Sequence, residues 1–256
     1  MSADIGSLSE KLDGAARAAS ATPQISHEVA LSMHEAYAVQ AASIARRLAR
    51  GERRVGMKMG FTSRAKMLQM GLSDVIWGRL TDGMLVEDGG STPFGRYVHP
   101  RVEPEVAFLM GKRLEGRVTP MQALDAVAAV GPALELIDSR YENFKFSLSD
   151  VVADNSSSSG FVIGPWRAAS TEIDNLGLIL SIDGRPQALG STAAILGHPL
   201  RSLVAAARLV AESGEALEPG SIVLAGGATA ALALVPGQYV SLEMQSLGRV
   251  AFSVEA

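Results

Sequence analysis

Val102-Glu103-Pro104-Glu105-Val106-Ala107-Phe108-Leu109-Met110 is the stretch on which the reading of the fold turns. Its apolar residues crowd a short run that stops at Gly111, the pattern of a strand. Side chains alternate across a strand, so Glu103 and Glu105 share one face while Val106 and Phe108 take the other. Pro104 has no N–H to give to a ladder, and an edge position or a strand start is expected for it. Two carboxylates this close repel each other. They are either solvated on an exposed edge or, if buried, need a cation between them. A third acid, Glu135, lies inside Gly131-Pro-Ala-Leu-Glu-Leu-Ile137, a second apolar strand. Three oxygen ligands without His or Cys suit a hard divalent ion, Mg²⁺ or Mn²⁺.

Upstream, Arg54-Val-Gly-Met-Lys-Met-Gly-Phe61 alternates as a strand, with Val55, Met57, Met59 and Phe61 on one face. Gly56, Lys58 and Gly60 form the other face. A lysine flanked on its own face by two glycines leaves room for backbone or a ligand to approach; a lysine snorkelling on an exposed face fits the same pattern. Thr62-Ser63 is expected to cap a short helix ending at Gly71. Before residue 53 the pattern is helical. Ser7-Leu-Ser-Glu10 has capping-box spacing, and a second helix over about 26–50 carries Tyr37, Ala41, Ile44 and Leu48 as its apolar stripe. Arg46, Arg47 and Arg50 suit its C-terminal end and Gly51 stops it.

Downstream, Thr119-Pro120 opens a helix to about Val130. Asp154-Asn155-Ser156-Ser157-Ser158-Ser159-Gly160 is a polar loop hemmed in by apolar strands, able to offer hydroxyls and N–H groups to an anion. Pro199 begins a helix to Ser213. Ala225-Gly-Gly-Ala-Thr229 is Gly-rich but lacks the Lys-Ser/Thr of a phosphate-binding P-loop. Strands are expected at 178–182, 239–244 and 248–254. The chain thus divides into a helical region, 1–52, and a strand-dominated region, 53–256, an α+β arrangement with no internal repeat.

Composition narrows the function. The 256 residues are 47% hydrophobic and 20% charged, which allows a large core. A net charge of −4 gives no electrostatic case for nucleic acid. With no cysteine there is no thiolate metal site or Cys nucleophile. His27, His34, His99 and His198 lack metal-ligand spacing. No signal peptide and no uninterrupted apolar run of membrane-spanning length is read, so no membrane association and a cytoplasmic location are expected.

Taken together and in order, Gly56-Met-Lys-Met-Gly-Phe-Thr-Ser63, Arg101-Val-Glu-Pro-Glu-Val-Ala-Phe108, Pro132-Ala-Leu-Glu135, Ala153-Asp-Asn155 and Gly197-His-Pro-Leu200 resemble the hydratase and decarboxylase branch of the fumarylacetoacetate hydrolase superfamily. The resemblance spans nearly the whole chain. It implies a mixed β-roll with an N-terminal helical lid, and Mg²⁺ or Mn²⁺ on Glu103, Glu105 and Glu135. Lys58 maps to the active-site lysine. Asp154, Ser157, Ser158 and Thr229 map to substrate-binding loops. The implied substrate is a small 2-oxo-enedioate, and a complex with the hydratase of the same pathway is a further implied partner. Within the branch, the hydratases carry an acid two residues before Gly78, where this chain has Ile76. That favours decarboxylation of 2-oxohex-3-enedioate over hydration of 2-hydroxypenta-2,4-dienoate. Ile76 and Trp77 are then expected to form an apolar surface for the leaving carboxylate, with Arg79 guiding the dianion in. A non-catalytic partner of a hydratase would not need the three acids and the lysine.

Overall fold

The computed structural model describes residues 3–63, 67 and 74–256. The expected short helix from Thr62 to Gly71 falls largely outside the described residues. The helices are α1 (Ile5–Ala18), α2 (Met33–Ala49), α3 (Pro120–Asp125), α4 (Leu148–Ala153) and α5 (Pro199–Glu212). The strands are β1 (Arg54–Gly60), β2 (Ile76–Thr81), β3 (Leu85–Val86), β4 (Ser91–Pro93), β5 (Arg101–Met110), β6 (Val127–Ile137) and β7 (Ser158–Ile163). They continue as β8 (Arg167–Ala168), β9 (Gly177–Ile182), β10 (Arg185–Ser191), β11 (Ile222–Leu224), β12 (Leu232–Ala233), β13 (Tyr239–Met244) and β14 (Gly248–Glu255). One sheet runs β2-β1-β11-β5-β6-β7-β3, with β12 also pairing with β5 and β8 with β6; the other runs β10-β9-β13-β14-β4. Val106, Phe108, Leu134 and Leu136 of the first sheet share one core cluster with Val240, Leu242, Val250 and Phe252 of the second. The result is α+β, with the acid-bearing face of β5 turned away from that core.

β5 is an interior strand, which corrects the expectation of an edge. Pro104 is tolerated because the neighbouring strand is broken beside it. β11 pairs with Ala107 to Leu109 and β12 with Arg101 and Val102, and between them the chain detours through the Gly-rich loop. The loop holds on by single bonds, Ala225 N–H to the Val106 carbonyl and Ala228 N–H to the Pro104 carbonyl. A proline is admitted where the ladder has a local gap.

Several helix boundaries differ from the sequence reading. α1 starts earlier, because Asp4 accepts from Ser7 N–H and serves as N-cap. α2 is capped by the Ser32–Glu35 box and buries Ala36, Val39, Gln40 and Ile44, leaving Leu48 exposed. In so alanine-rich a helix the apolar stripe is poorly defined, and tertiary bonds choose the buried face: Gln40 donates to the Trp77 and Val152 carbonyls. α3 ends at Asp125, since Val127–Val130 is drawn into β6 against β5 and β8. The helical region also shares a cluster with later elements: Leu8, Leu12 and Val39 pack with Ile76, Tyr141 and Val152. Ser26 is tied to Asp150 through both its N–H and its hydroxyl.

The Gly197-His-Pro-Leu200 motif is a helix start. Gly197 takes φ +80°, the His198 imidazole accepts from Leu200 N–H at 3.0 Å, and Pro199 occupies the first turn. Residues 192–212 are apolar enough, at a mean hydropathy of 1.2, to match a membrane span by composition, contrary to expectation. The helix within them is 14 residues long and buries Leu203, Ala206, Ala207 and Val210 against the sheet, which identifies it as a core helix. Ser202 on it donates to the Ala225 carbonyl at 2.6 Å and anchors the Gly-rich loop.

Candidate active site

The antiparallel register of β5 and β6 sets Glu103 opposite Glu135, and alternation puts Glu105 on the same face as Glu103. One carboxylate oxygen from each lies within 4.8 Å of the others. Glu103 is half-buried, whereas Glu105 and Glu135 are 0% exposed. The Gly-rich loop closes over them. Gly226 N–H donates to Glu105 Oε2 at 2.6 Å, and Gly226 adopts φ +107° against the Thr62 side chain. A Cβ on Gly227 would stand 2.8 Å from Glu103 Oε2. These glycines let backbone pack onto carboxylates; the loop serves the acids, not a phosphate.

Lys58 enters from β1, two strands away, and its Nζ lies 3.2 Å from Glu135 Oε2 in a fully enclosed pair. Gly56 on the same face is required by the close approach of the Ile222 backbone on β11, and Gly60 abuts the Ile76 side chain. Burial, reinforced by the neighbouring charge of Glu135 and then of Glu103, raises the Glu105 carboxyl well above the usual carboxylate range; Lys58 and Gly226 N–H oppose this. Glu105 Oε1 and Glu135 Oε1 are buried with no hydrogen-bond partner among the described residues. Orphaned buried carboxylate oxygens are costly. A cluster of three carboxylates with two such oxygens has the donor set of a hard divalent cation.

A cavity of about 310 Å³ adjoins this cluster. Lys58, Glu103 and Ser157 give it polar walls, and Phe61, Ile76, Val151 and Phe146 apolar ones. Ser157 Oγ likewise has no partner among the described residues. It sits in the serine turn, where Asn155, Ser156 and Ser157 take φ of 49°, 51° and 60°. Such a left-handed run is strained for non-glycine residues and is held from outside. Asn155 exchanges two bonds with the Arg79 backbone, and Ser156 Oγ donates to the Trp77 carbonyl.

The structure separates several residues that the sequence reading grouped together. Trp77 and Arg79 lie on the opposite face of β2 from Ile76, as alternation demands. Trp77 is buried and stacked on Tyr37, with ring centroids 5.5 Å apart. Arg79 lies over the Trp77 ring at 4.4 Å and pairs with Glu215 and Gln40, so it does not guide a dianion into the cavity. Asp154 is sequestered by Arg140, and Ser158 lies beside that pair, away from the cavity. Thr229 turns its hydroxyl to the Ala230 carbonyl, and the loop reaches the cavity through Gly227, Ala230 and Ala231 instead. Arg101, Phe144 and Phe146 line the cavity without having been singled out. Arg101 was legible, two residues before Glu103 on the same face; the phenylalanines stand in a loop and carried no periodic signal.

The fold and the acid cluster define a class. Residues 62–255 match the fumarylacetoacetate (FAA) hydrolase C-terminal family, and the chain belongs to it. Within that family it is 59% identical over 249 residues to a 4-oxalocrotonate decarboxylase of Pseudomonas sp, covering 97% of each chain. A solved 4-oxalocrotonate decarboxylase from Pseudomonas putida G7, complexed with magnesium and adipate, superposes with a TM-score of 0.95 at 36% identity, covering 98% of this chain and 97% of that one. A 2-keto-4-pentenoate hydratase of Paraburkholderia xenovorans (strain LB400) is more distant, 33% identical over 229 residues, covering 88% of this chain and 85% of that protein.

Proposed function

We propose that the protein is a metal-dependent carboxy-lyase that converts 2-oxohex-3-enedioate (4-oxalocrotonate) to 2-hydroxypenta-2,4-dienoate and CO₂ in the catabolism of aromatic compounds. The observation that carries this reading is one cavity joining a three-carboxylate cluster with orphaned oxygens to an apolar wall at Ile76. The 59% identical relative bears the name of that activity. Magnesium is the ion assigned to Glu103, Glu105 and Glu135, with manganese as the second choice. When bound, it supplies Lewis-acid stabilisation of negative charge on the ketone oxygen of the substrate.

The residues of the chain do the rest. The C5–C6 bond breaks, and its electron pair moves through C4 and C3 to the C2 oxygen. Lys58, held beside the cluster by Glu135, is placed to stabilise or protonate that oxygen. Ser157 offers its free hydroxyl to the substrate. Phe61, Ile76, Val151 and Phe146 wall off the bond that breaks and exclude water from it. A hydratase would need a polar group to place water there, and Ile76 offers none. Retention of both cluster and lysine disfavours a non-catalytic partner role.

Residues 1–52 and 53–256 remain our division of the chain. No described residue of the helical segment lines the cavity, so we assign closure to Phe144 and Phe146, with α1 and α2 as a buttress behind α4. A complex with the hydratase that consumes the dienol is part of the proposal, checked by co-elution of the two proteins.

With Mg²⁺, the purified protein is expected to release CO₂ from 2-oxohex-3-enedioate and to hydrate 2-hydroxypenta-2,4-dienoate slowly. Lys58→Ala is expected to lower kcat by roughly 10²–10⁴-fold while retaining the ion. Borohydride is expected to trap no adduct. Efficient formation of 4-hydroxy-2-oxopentanoate without CO₂ release would instead assign the hydratase activity.

A further inference from the structure

We infer that Arg101 is the residue that selects a dicarboxylate, by holding the distal carboxylate of the substrate at the mouth of the cavity. This deepens the decarboxylase reading and rests on it.

The position comes from strand geometry. Arg101 opens β5 on the same face as Glu103 and Glu105. Depth increases along that face: Arg101 and Glu103 are half-buried, whereas Glu105 and Ala107 are fully buried. Arg101 therefore stands at the open end and the acid cluster deeper in. Two strand residues span about 6.6 Å, comparable with the separation of the carboxylates in an extended six-carbon diacid.

The charge balance then calls for a cation at this end. Counted over the described residues, a divalent ion together with the Lys58 ammonium would neutralise the three carboxylates. The occupied cluster then offers no net attraction to a second carboxylate. The walls at Phe61, Ile76 and Val151 offer none either. Among the described residues lining the cavity, only Lys58 and Arg101 are cationic, and Lys58 is engaged by Glu135. Arg101 is not so engaged. Its guanidinium lies 4.2 Å from the Phe144 ring centroid, and no described carboxylate pairs with it. Stacking on one face leaves the N–H edge available for a carboxylate, the geometry in which arginine binds such groups. Arg79 and Arg140, by contrast, are buried against Glu215 and Asp154.

The chemistry sets the kinetic signature. The distal carboxylate carries its full charge in the bound substrate and loses it as CO₂ forms. A contact to it favours the ground state more than the transition state. Removing Arg101 is thus expected to raise KM without lowering kcat.

The test is calorimetric titration of the Mg²⁺-loaded protein with adipate and with hexanoate, which has the same chain length and one carboxylate. Arg101→Gln is expected to weaken adipate binding at least tenfold and hexanoate binding less than twofold. Arg101→Lys is expected to recover most of the adipate affinity. In turnover, Arg101→Gln is expected to raise KM for the dicarboxylate about tenfold with kcat equal to or above wild type. Equal losses for the two ligands, or a fall in kcat at unchanged KM, would overturn the inference. If the wild-type protein releases no CO₂, the decarboxylase reading fails by itself; the adipate–hexanoate comparison still decides whether Arg101 selects a second carboxylate.

Discussion

Two buried charge clusters lie on either side of the serine turn, and they are built on opposite terms. In the first, Arg140 donates to both carboxylate oxygens of Asp154, to the Asp154 carbonyl at 2.6 Å and to Ser159 Oγ. Every oxygen of Asp154 is occupied. In the second, Glu103, Glu105 and Glu135 crowd together with Lys58 as the described cation among them, and two buried oxygens accept nothing from the described residues. A buried charge that is fully paired organises the chain around it. One with unused lone pairs, kept together against its own repulsion, is built for a ligand. The first cluster holds the strained turn that presents Ser157; the second is the one we propose for the ion.

The sharpest way to break this contrast is to neutralise one member of each cluster. Glu105→Gln or Glu135→Gln is expected to lower turnover by roughly 10³-fold, since several kcal/mol of charge stabilisation depend on the ion. Calorimetry should show weakened Mg²⁺ binding, while the ion-free variant stays folded because repulsion has been relieved. Unchanged Mg²⁺ dependence in both variants would remove these residues from the site.

Asp154→Asn should behave in the opposite way. It strands the Arg140 charge in the interior, and breaking a buried pair typically costs about 3–5 kcal/mol. Chemical denaturation should report that loss, with Mg²⁺ affinity per folded molecule unaltered. A stable variant with impaired ion binding would show that the two clusters are not separable.

The smallest expected effect is on pH dependence. Burial raises Glu105 well above its ordinary 4.5 and pushes Asp154 up to about 6 from 3.8. In the window between ordinary and raised values the native state holds more protons than the unfolded chain. Stability contributed by these groups therefore falls as pH rises through it. His99, lowered mainly by burial, acts in the other direction. The ion-free protein is expected to melt a few degrees higher at pH 5 than at pH 7, at about 2–4 °C per kcal/mol for a chain of this size. Mg²⁺ should stabilise more at pH 7, because it displaces the proton on Glu105. Melting curves in chelator and in Mg²⁺, for wild type and Glu105→Gln, check the sign; an equal slope in both proteins would exclude Glu105 as its source.

Period-two patterns were legible without coordinates. They put Glu103 and Glu105 on one face of β5, and Lys58 between two glycines on one face of β1. Applied as strictly to β2 and to the start of β5, the same rule separates Ile76 from Trp77 and Arg79 and adds Arg101 to the acid face. Arg79 is close to Ile76 in sequence but stands on the other face of β2, over Trp77, so proximity along the chain is not proximity in space here. The stripe on α2 was ambiguous because alanines mark no face strongly, and the buried Gln40 is chosen by carbonyls on β2 and α4.

What the sequence determined by itself was the chemistry available. Three acids and a lysine stand on apolar strands, with no cysteine and no histidine cluster, and alternation assigns each to a face. What only the tertiary structure decided was which of those groups meet and which are left unsatisfied. The Glu103–Glu135 register is set by hydrogen bonds across more than thirty intervening residues, the gap beside Pro104 by the detour of a loop over a hundred residues later, and the orphaned oxygens by which described donors the fold brings near. Local preference acts over a few residues. Pairing and satisfaction of buried polar groups depend on the whole folded chain.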